Sequence, residues 1–255
     1  MLIGNITSMA SLGVYSIAAQ FGNIADTVQS YVNSAYGPWV FERLHAREEG
    51  YKRVIRENVS FLSAIVGLML IGIALFAQDY ILLLVDPAYA DAWRYVPLIV
   101  MVFAFKIIYN FHAEALLFNK DASRILFVAA LSSGFVSVIL TAILIPYLDI
   151  YGSIVADMVA MLMRAYITVC ISRKYQNIGL RIGDFALNIL LILIAVVAGL
   201  LPSWLLSGNT FQLSNVFYKI AIVLVYVAVQ AVLHRKRLLV ISKKLLKQFI
   251  ARKKQ

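Results

Sequence analysis

The sequence predicts an all-α, polytopic helical membrane protein, and three observations carry that prediction. Of its 255 residues, 62% are hydrophobic and only 14% are charged. The mean hydropathy is +0.84, whereas a soluble domain carries about 25% charged residues to cover its surface. The apolar residues also fall into runs near the length of roughly 20 residues that a bilayer core demands. A net charge of +10 would suit nucleic acid, but the cations lie in short clusters between apolar runs. That pattern fits anionic lipid and membrane orientation, and no nucleic-acid partner is expected. The single cysteine, Cys170, lies inside an apolar run, so no internal disulfide forms and no redox role is expected. The start, MLIGNITSMASLG, has no basic n-region and does not read as a cleavable signal.

Seven spans follow in order, at about 12–36, 59–77, 96–118, 125–146, 153–172, 185–207 and 216–233. They make residues 1–233 one transmembrane bundle, with 234–255 as a tail. Glycine and serine punctuate the runs, and Pro38, Pro87, Pro97, Pro146 and Pro202 fall near their ends, where helices can stop. The connections fix an orientation. Arg43, Arg47, Lys52, Arg53 and Arg56 follow the first span, while Arg94 alone follows the second. Lys120 and Arg124 follow the third, none follows the fourth, and Arg173, Lys174 and Arg181 follow the fifth. None follows the sixth, and nine lie beyond residue 233. Alternate sides therefore hold nineteen and one, which places the start outside and the C-terminus in the cytoplasm. In the tail, Leu238, Ile241, Leu245, Phe249 and Arg252 recur at helical spacing among lysines, as in a basic amphipathic helix on anionic inner-leaflet lipids. A solvated tail is the plainer alternative.

The first span carries a polar stripe. Asn23, Asp26, Gln29, Ser30 and Asn33 lie within about 120° of one another at helical spacing. Such a stripe faces protein or a watery cavity rather than lipid. Hydrogen-bonding between helices and a cavity are both open for the amides, and Asp26, near mid-span, favours the cavity. In the third span Lys106, Asn110 and Glu114 turn through only about 80°. Lys106 is either the ion-pair partner of a carboxylate such as Asp26, or a cation held for an anionic substrate. Glu114 lies nearer the cytoplasmic end, and His112 points elsewhere and reads as a packing residue. In the fifth span Asp157 and Arg164, seven apart, share a face. Lys106 and Arg164, from different helices, are placed to converge on a phosphate or diphosphate. No nucleotide loop, metal-binding pair or cysteine–histidine spacing occurs, so neither a cofactor nor a metal is expected and the chain does not read as an enzyme. The acidic stretch DPAYADAW (86–93) reads as a turn with aromatic interface anchors.

Two stretches resemble a known family. LGVYSIAAQFGNIADTVQSYVNSAYGPWVF (12–41), with Gly13, Tyr15 and Pro38, is similar to the eighth helix of polysaccharide exporters of the multidrug/oligosaccharidyl-lipid/polysaccharide superfamily. SRILFVAALSSGFVSVILTAILIPYLDIYGSIVADMVAMLMRAYITV (123–169) resembles that family's helix pair at Leu144, Ile145, Pro146, Gly152 and Ala156. Thr141 stands where asparagine is frequent, and Asp157 replaces the usual threonine. The resemblance implies that the seven spans correspond to the C-terminal bundle of a 14-helix exporter, lacking the first seven helices. It implies a bacterial inner-membrane flippase that turns undecaprenyl-diphosphate-linked oligosaccharide to the outer leaflet by alternating access. Lys106, Arg164, Asn110, Asn23 and Asn33 would then bind substrate, with Asp26, Glu114 and Asp157 in ion coupling or gating. Glycosyltransferases and a polysaccharide polymerase are the implied protein partners. The competing expectations are a cation-coupled multidrug exporter of the same superfamily, and a membrane enzyme or scaffold of surface-polysaccharide assembly.

Overall fold

The computed structural model describes residues 9–235 and 237–238. The proposed amphipathic surface helix of the tail lies almost wholly outside the described residues. Seven α-helices follow one another: α1 (Met9–Ala46), α2 (Tyr51–Leu84), α3 (Val96–Leu116), α4 (Lys120–Leu148), α5 (Ile150–Tyr175), α6 (Ile182–Pro202) and α7 (Leu213–Leu233). A 3-10 turn (Pro87–Arg94) leads into α3, and a π turn (Ser203–Ser207) closes α6. The fold is all-α. Six helices are long and apolar enough to cross a bilayer, namely α2 to α7, with α3 and α6 extended by their turns. The protein is therefore a multi-pass helical membrane protein.

At 38 residues, α1 spans about 57 Å at 1.5 Å per residue, ample for a hydrocarbon core of about 30 Å. It falls outside the apolar set because its polar stripe dilutes the greasy side. It also continues past Pro38, where the sequence suggested an end, to Ala46. Pro38 removes one backbone hydrogen bond, that to the Ser34 carbonyl, and membrane helices tolerate such a proline where the freed carbonyl finds another partner; Pro38 itself is exposed.

The third helix is the hub. It packs against α1, α2, α5 and α6, while α4 is held chiefly through α5, and α7 against α2 and α6. Small residues permit the closest approaches. At Gly67 of α2 a Cβ would run into the Tyr226 hydroxyl of α7, and that hydroxyl donates to the Ala64 carbonyl at 3.2 Å. A Cβ at Gly152 would stand 2.7 Å from the Leu144 carbonyl carbon and oxygen. That contact is backbone and cannot swing aside, and it fixes the tight α4–α5 turn. Gly152→Leu is expected to destabilise the bundle by about 1–3 kcal/mol through overpacking, read as a lower melting temperature in detergent.

The connections sort by end. Asn119 caps α4, its side chain accepting from the Asp121 and Ala122 amides at 3.0 and 3.2 Å. At this end His45 meets Phe118 edge-on, Gly179 abuts Lys52, and Arg56 donates to Asp184 at 2.8 Å. At the other end Trp93 Nε1 donates to Asn209 at 2.9 Å, Gln78 donates to the Gly208 carbonyl at 2.8 Å, and Tyr95 meets Tyr151 at 4.8 Å. The basic turns thus gather at one end of the bundle and the nearly cation-free turns at the other. Asp86 and Asp91 of the DPAYADAW stretch serve this second end: Asp86 accepts from the Ala88 amide at 2.8 Å, and Asp91 accepts from Asn209 at 3.0 Å.

Candidate functional site

A cavity of about 400 Å³ opens between α1, α3, α4 and α5. Each helix contributes one polar face to it. Asn23 and Asp26 come from the α1 stripe, Lys106 from α3, Ser133 and Ser137 from α4, and Asp157 and Arg164 from α5. Gly22 and Gly134 keep the walls thin, and Phe103, Ile99 and Met161 supply the apolar remainder. Five of the residues singled out in the sequence, Asn23, Asp26, Lys106, Asp157 and Arg164, are therefore brought together from three helices.

Their charges are arranged unequally. Lys106 Nζ contacts Asp26 Oδ1 in an ion pair, and it also lies 5.5 Å from the Phe103 ring centre. The lysine is mostly buried and the aspartate half-exposed, so the pair is neutralised but open to the cavity on the carboxylate side. Asp157 takes a hydrogen bond from Ser137 Oγ at 2.6 Å. Arg164 forms no ion pair among the described residues. Its guanidinium instead rests 4.7 Å from the Tyr109 ring centre, and its Nε is enclosed without a hydrogen-bond partner. A guanidinium held over an aromatic face with donors unspent is a ready anion receptor. The expected convergence of two cations is corrected in this respect: Lys106 and Arg164 share the cavity, but only Arg164 is without a carboxylate.

Three other candidates lie elsewhere. Asn110 is buried and donates to Gln29 Oε1 at 2.8 Å, while Gln29 Nε2 donates to the Phe103 carbonyl at 2.7 Å. These bonds tie α1 to α3, the bridging use of amides in membrane bundles. Asn33 sits beside them in a crevice too tight for water. Glu114 packs against α1 near the basic end, where a Cβ on Gly37 would come within 3.1 Å of its Oε2. His112 is buried, with Nδ1 2.9 Å from the Ile108 carbonyl and its ring against Phe185. It is a packing residue. No cluster of histidine, cysteine or carboxylate suited to a metal occurs among the described residues.

Two polar features were not singled out in the sequence. The first lengthens the α1 stripe: Ser16, Gln20, Asn23, Thr27, Ser30 and Ser34 are all exposed and lie within about 80° of one another. Among the described residues no helix packs closely over that face, whose Asn23 also borders the cavity. The second is a buried network between α2, α6 and α7. Lys219 is fully buried, and its Nζ donates to Asp79 Oδ2 at 2.7 Å and Gln78 Oε1 at 2.8 Å. Ser203 Oγ donates to Gln78 Oε1 at 2.5 Å and accepts from Asn215 Nδ2 at 2.8 Å. Its sequence signal was a lysine inside the last apolar run and an aspartate near the end of the second.

Comparison of the chain with known protein families, curated proteins and solved structures gives no match.

Proposed function

We propose that this protein is a transporter of an anionic, lipid-linked oligosaccharide, turning its diphosphate headgroup across the bacterial inner membrane by alternating access. The observation that carries the reading is Arg164, a guanidinium without a carboxylate in a polar cavity at membrane depth. An unpaired intramembrane cation is expensive, by about 2.5–3.5 kcal/mol on insertion scales, and marks a pathway or a binding site. A diphosphate carried on undecaprenyl is the substrate headgroup that the resemblance suggests. A diphosphate suits the guanidinium's parallel donors, while the polyprenyl tail remains among lipid.

The uncovered polar face of α1 supports transport in a second way. Ser16, Thr27 and Ser34 donate back to their own helix at 2.8–2.9 Å, but the exposed amides Gln20 and Asn23 cannot face hydrocarbon without cost. They call for water or for a second bundle, as expected of one wall of a larger translocation cavity. In this reading the seven helices form one half of a two-bundle transporter, with the basic ends in the cytoplasm.

Asp157, a carboxylate without a cation partner among the described residues, favours a second reading, a cation-coupled exporter of organic cations. Vesicles reconstituted with the complete reading-frame product separate the two. The first reading expects fluorescent lipid-linked oligosaccharide to move between leaflets, gaining or losing access to a membrane-impermeant quencher, while an organic cation is not accumulated. Accumulation of the cation without movement of the lipid would replace the first reading with the second.

A further inference from the structure

A second cavity, of about 450 Å³, lies at the end of the bundle away from the basic turns. It is a cleft between α3 and α6. Leu98 and Met101 form one wall, Leu193 and Val197 the other, and Trp204 stands at the rim with Arg94. Leu98, Leu193, Val197 and Trp204 are exposed, so the cleft opens sideways on the bundle surface that faces lipid. It shares no residue with the cavity that holds Arg164.

Arg94 is the only lysine or arginine in the connections at this end. It works against the asymmetry that orients the chain, so topology gives no reason for its presence. Its guanidinium lies 5.9 Å from the Trp93 ring centre, and its side chain is half exposed. Among the described residues its one carboxylate contact is Asp91 at 3.4 Å, a solvent-exposed pair of the kind that contributes little. Asp91 is also held by Asn209 at 3.0 Å, so it keeps a partner when the arginine turns away. A cation at the interface, aromatic rings beside it and an apolar slot below it together match one kind of ligand.

We propose that the α3–α6 cleft is a binding site for an anionic phospholipid, its phosphodiester on Arg94 and one acyl chain between Leu98 and Val197. The charge of Arg94 selects an anionic over a zwitterionic headgroup, and the slot holds the chain. The site is independent of what the Arg164 cavity carries, so either assignment can fail without the other.

Trp204 provides the readout. The complete protein is reconstituted in phosphatidylcholine or phosphatidylglycerol brominated high on the acyl chains, and the Trp204 contribution is taken as the difference from Trp204→Phe. Phosphatidylglycerol is expected to quench that contribution about fivefold more effectively than phosphatidylcholine, the factor that one interfacial cation confers. Arg94→Gln, a change at an exposed rim, is expected to abolish the preference while leaving total quenching by the two lipids similar. Equal quenching in the unmodified protein, or a preference that survives Arg94→Gln, would overturn the proposal. Displacement of phosphatidylglycerol by stoichiometric undecaprenyl diphosphate would overturn it as well, and assign the slot to the substrate's own tail.

Discussion

Asp79→Ala is expected to destabilise the protein by about 3–5 kcal/mol, the largest effect of any single substitution outside the cavity. The reason is the state in which it leaves Lys219. That side chain is fully enclosed, and its ammonium has two oxygen partners, Asp79 Oδ2 and Gln78 Oε1. Gln78 Oε1 already accepts from Ser203, so it cannot compensate a buried positive charge alone. The ammonium must then lose its proton or drag α7 away from α2. Removing both charges differs in kind: Asp79→Leu with Lys219→Met leaves no orphan, and such replacements are often neutral or stabilising. Thermal unfolding in detergent is expected to show a markedly lower transition for the single variant and recovery in the double. Equal transitions for Asp79→Ala and the unmodified protein would mean that water reaches Lys219 and that the network is not closed.

Much of the bundle was legible because apolar runs of bilayer length leave few alternatives to a helix. Basic and nearly cation-free connections alternate between the two ends, since each crossing reverses the chain. Helix limits were less legible: α1 outlasts Pro38 because a long membrane helix tolerates the loss of one backbone hydrogen bond. Side-chain direction followed from the helical angle, so Asp157 and Arg164 were rightly given one face. What they touch did not follow. Ser137 of α4 occupies Asp157, and the Tyr109 ring of α3 underlies Arg164, and no spacing within α5 identifies a partner on another helix. The same limit explains Asn110. It lies only about 40° from Lys106 on the helical wheel, yet α3 meets different neighbours within that arc, and its amide found Gln29 instead of the cavity. The pairing of Lys106 with Asp26 was one of two readings that the sequence allowed, and geometry selected it.

The second large effect falls on ligand binding. The Arg164 guanidinium is held against Tyr109 and forms no ion pair with another described residue, so an arriving diphosphate competes with no carboxylate for it. A charge-assisted hydrogen bond contributes about 1.5–3 kcal/mol. Arg164→Gln is therefore expected to weaken binding of undecaprenyl diphosphate by about 10- to 100-fold. The change should leave the fold intact, since the side chain forms no ion pair with another described residue. Lys106→Gln is expected to do less to affinity, because Asp26 already neutralises that lysine.

The most direct measurement is a titration of the complete protein, purified in detergent, with radiolabelled undecaprenyl diphosphate, alongside Arg164→Gln at matched folding. Saturable binding that weakens at least about tenfold in the variant is the predicted result. Equal affinity in the two proteins, or tighter binding of an organic cation than of the diphosphate, would contradict the assignment of this cavity to an anionic lipid-linked substrate.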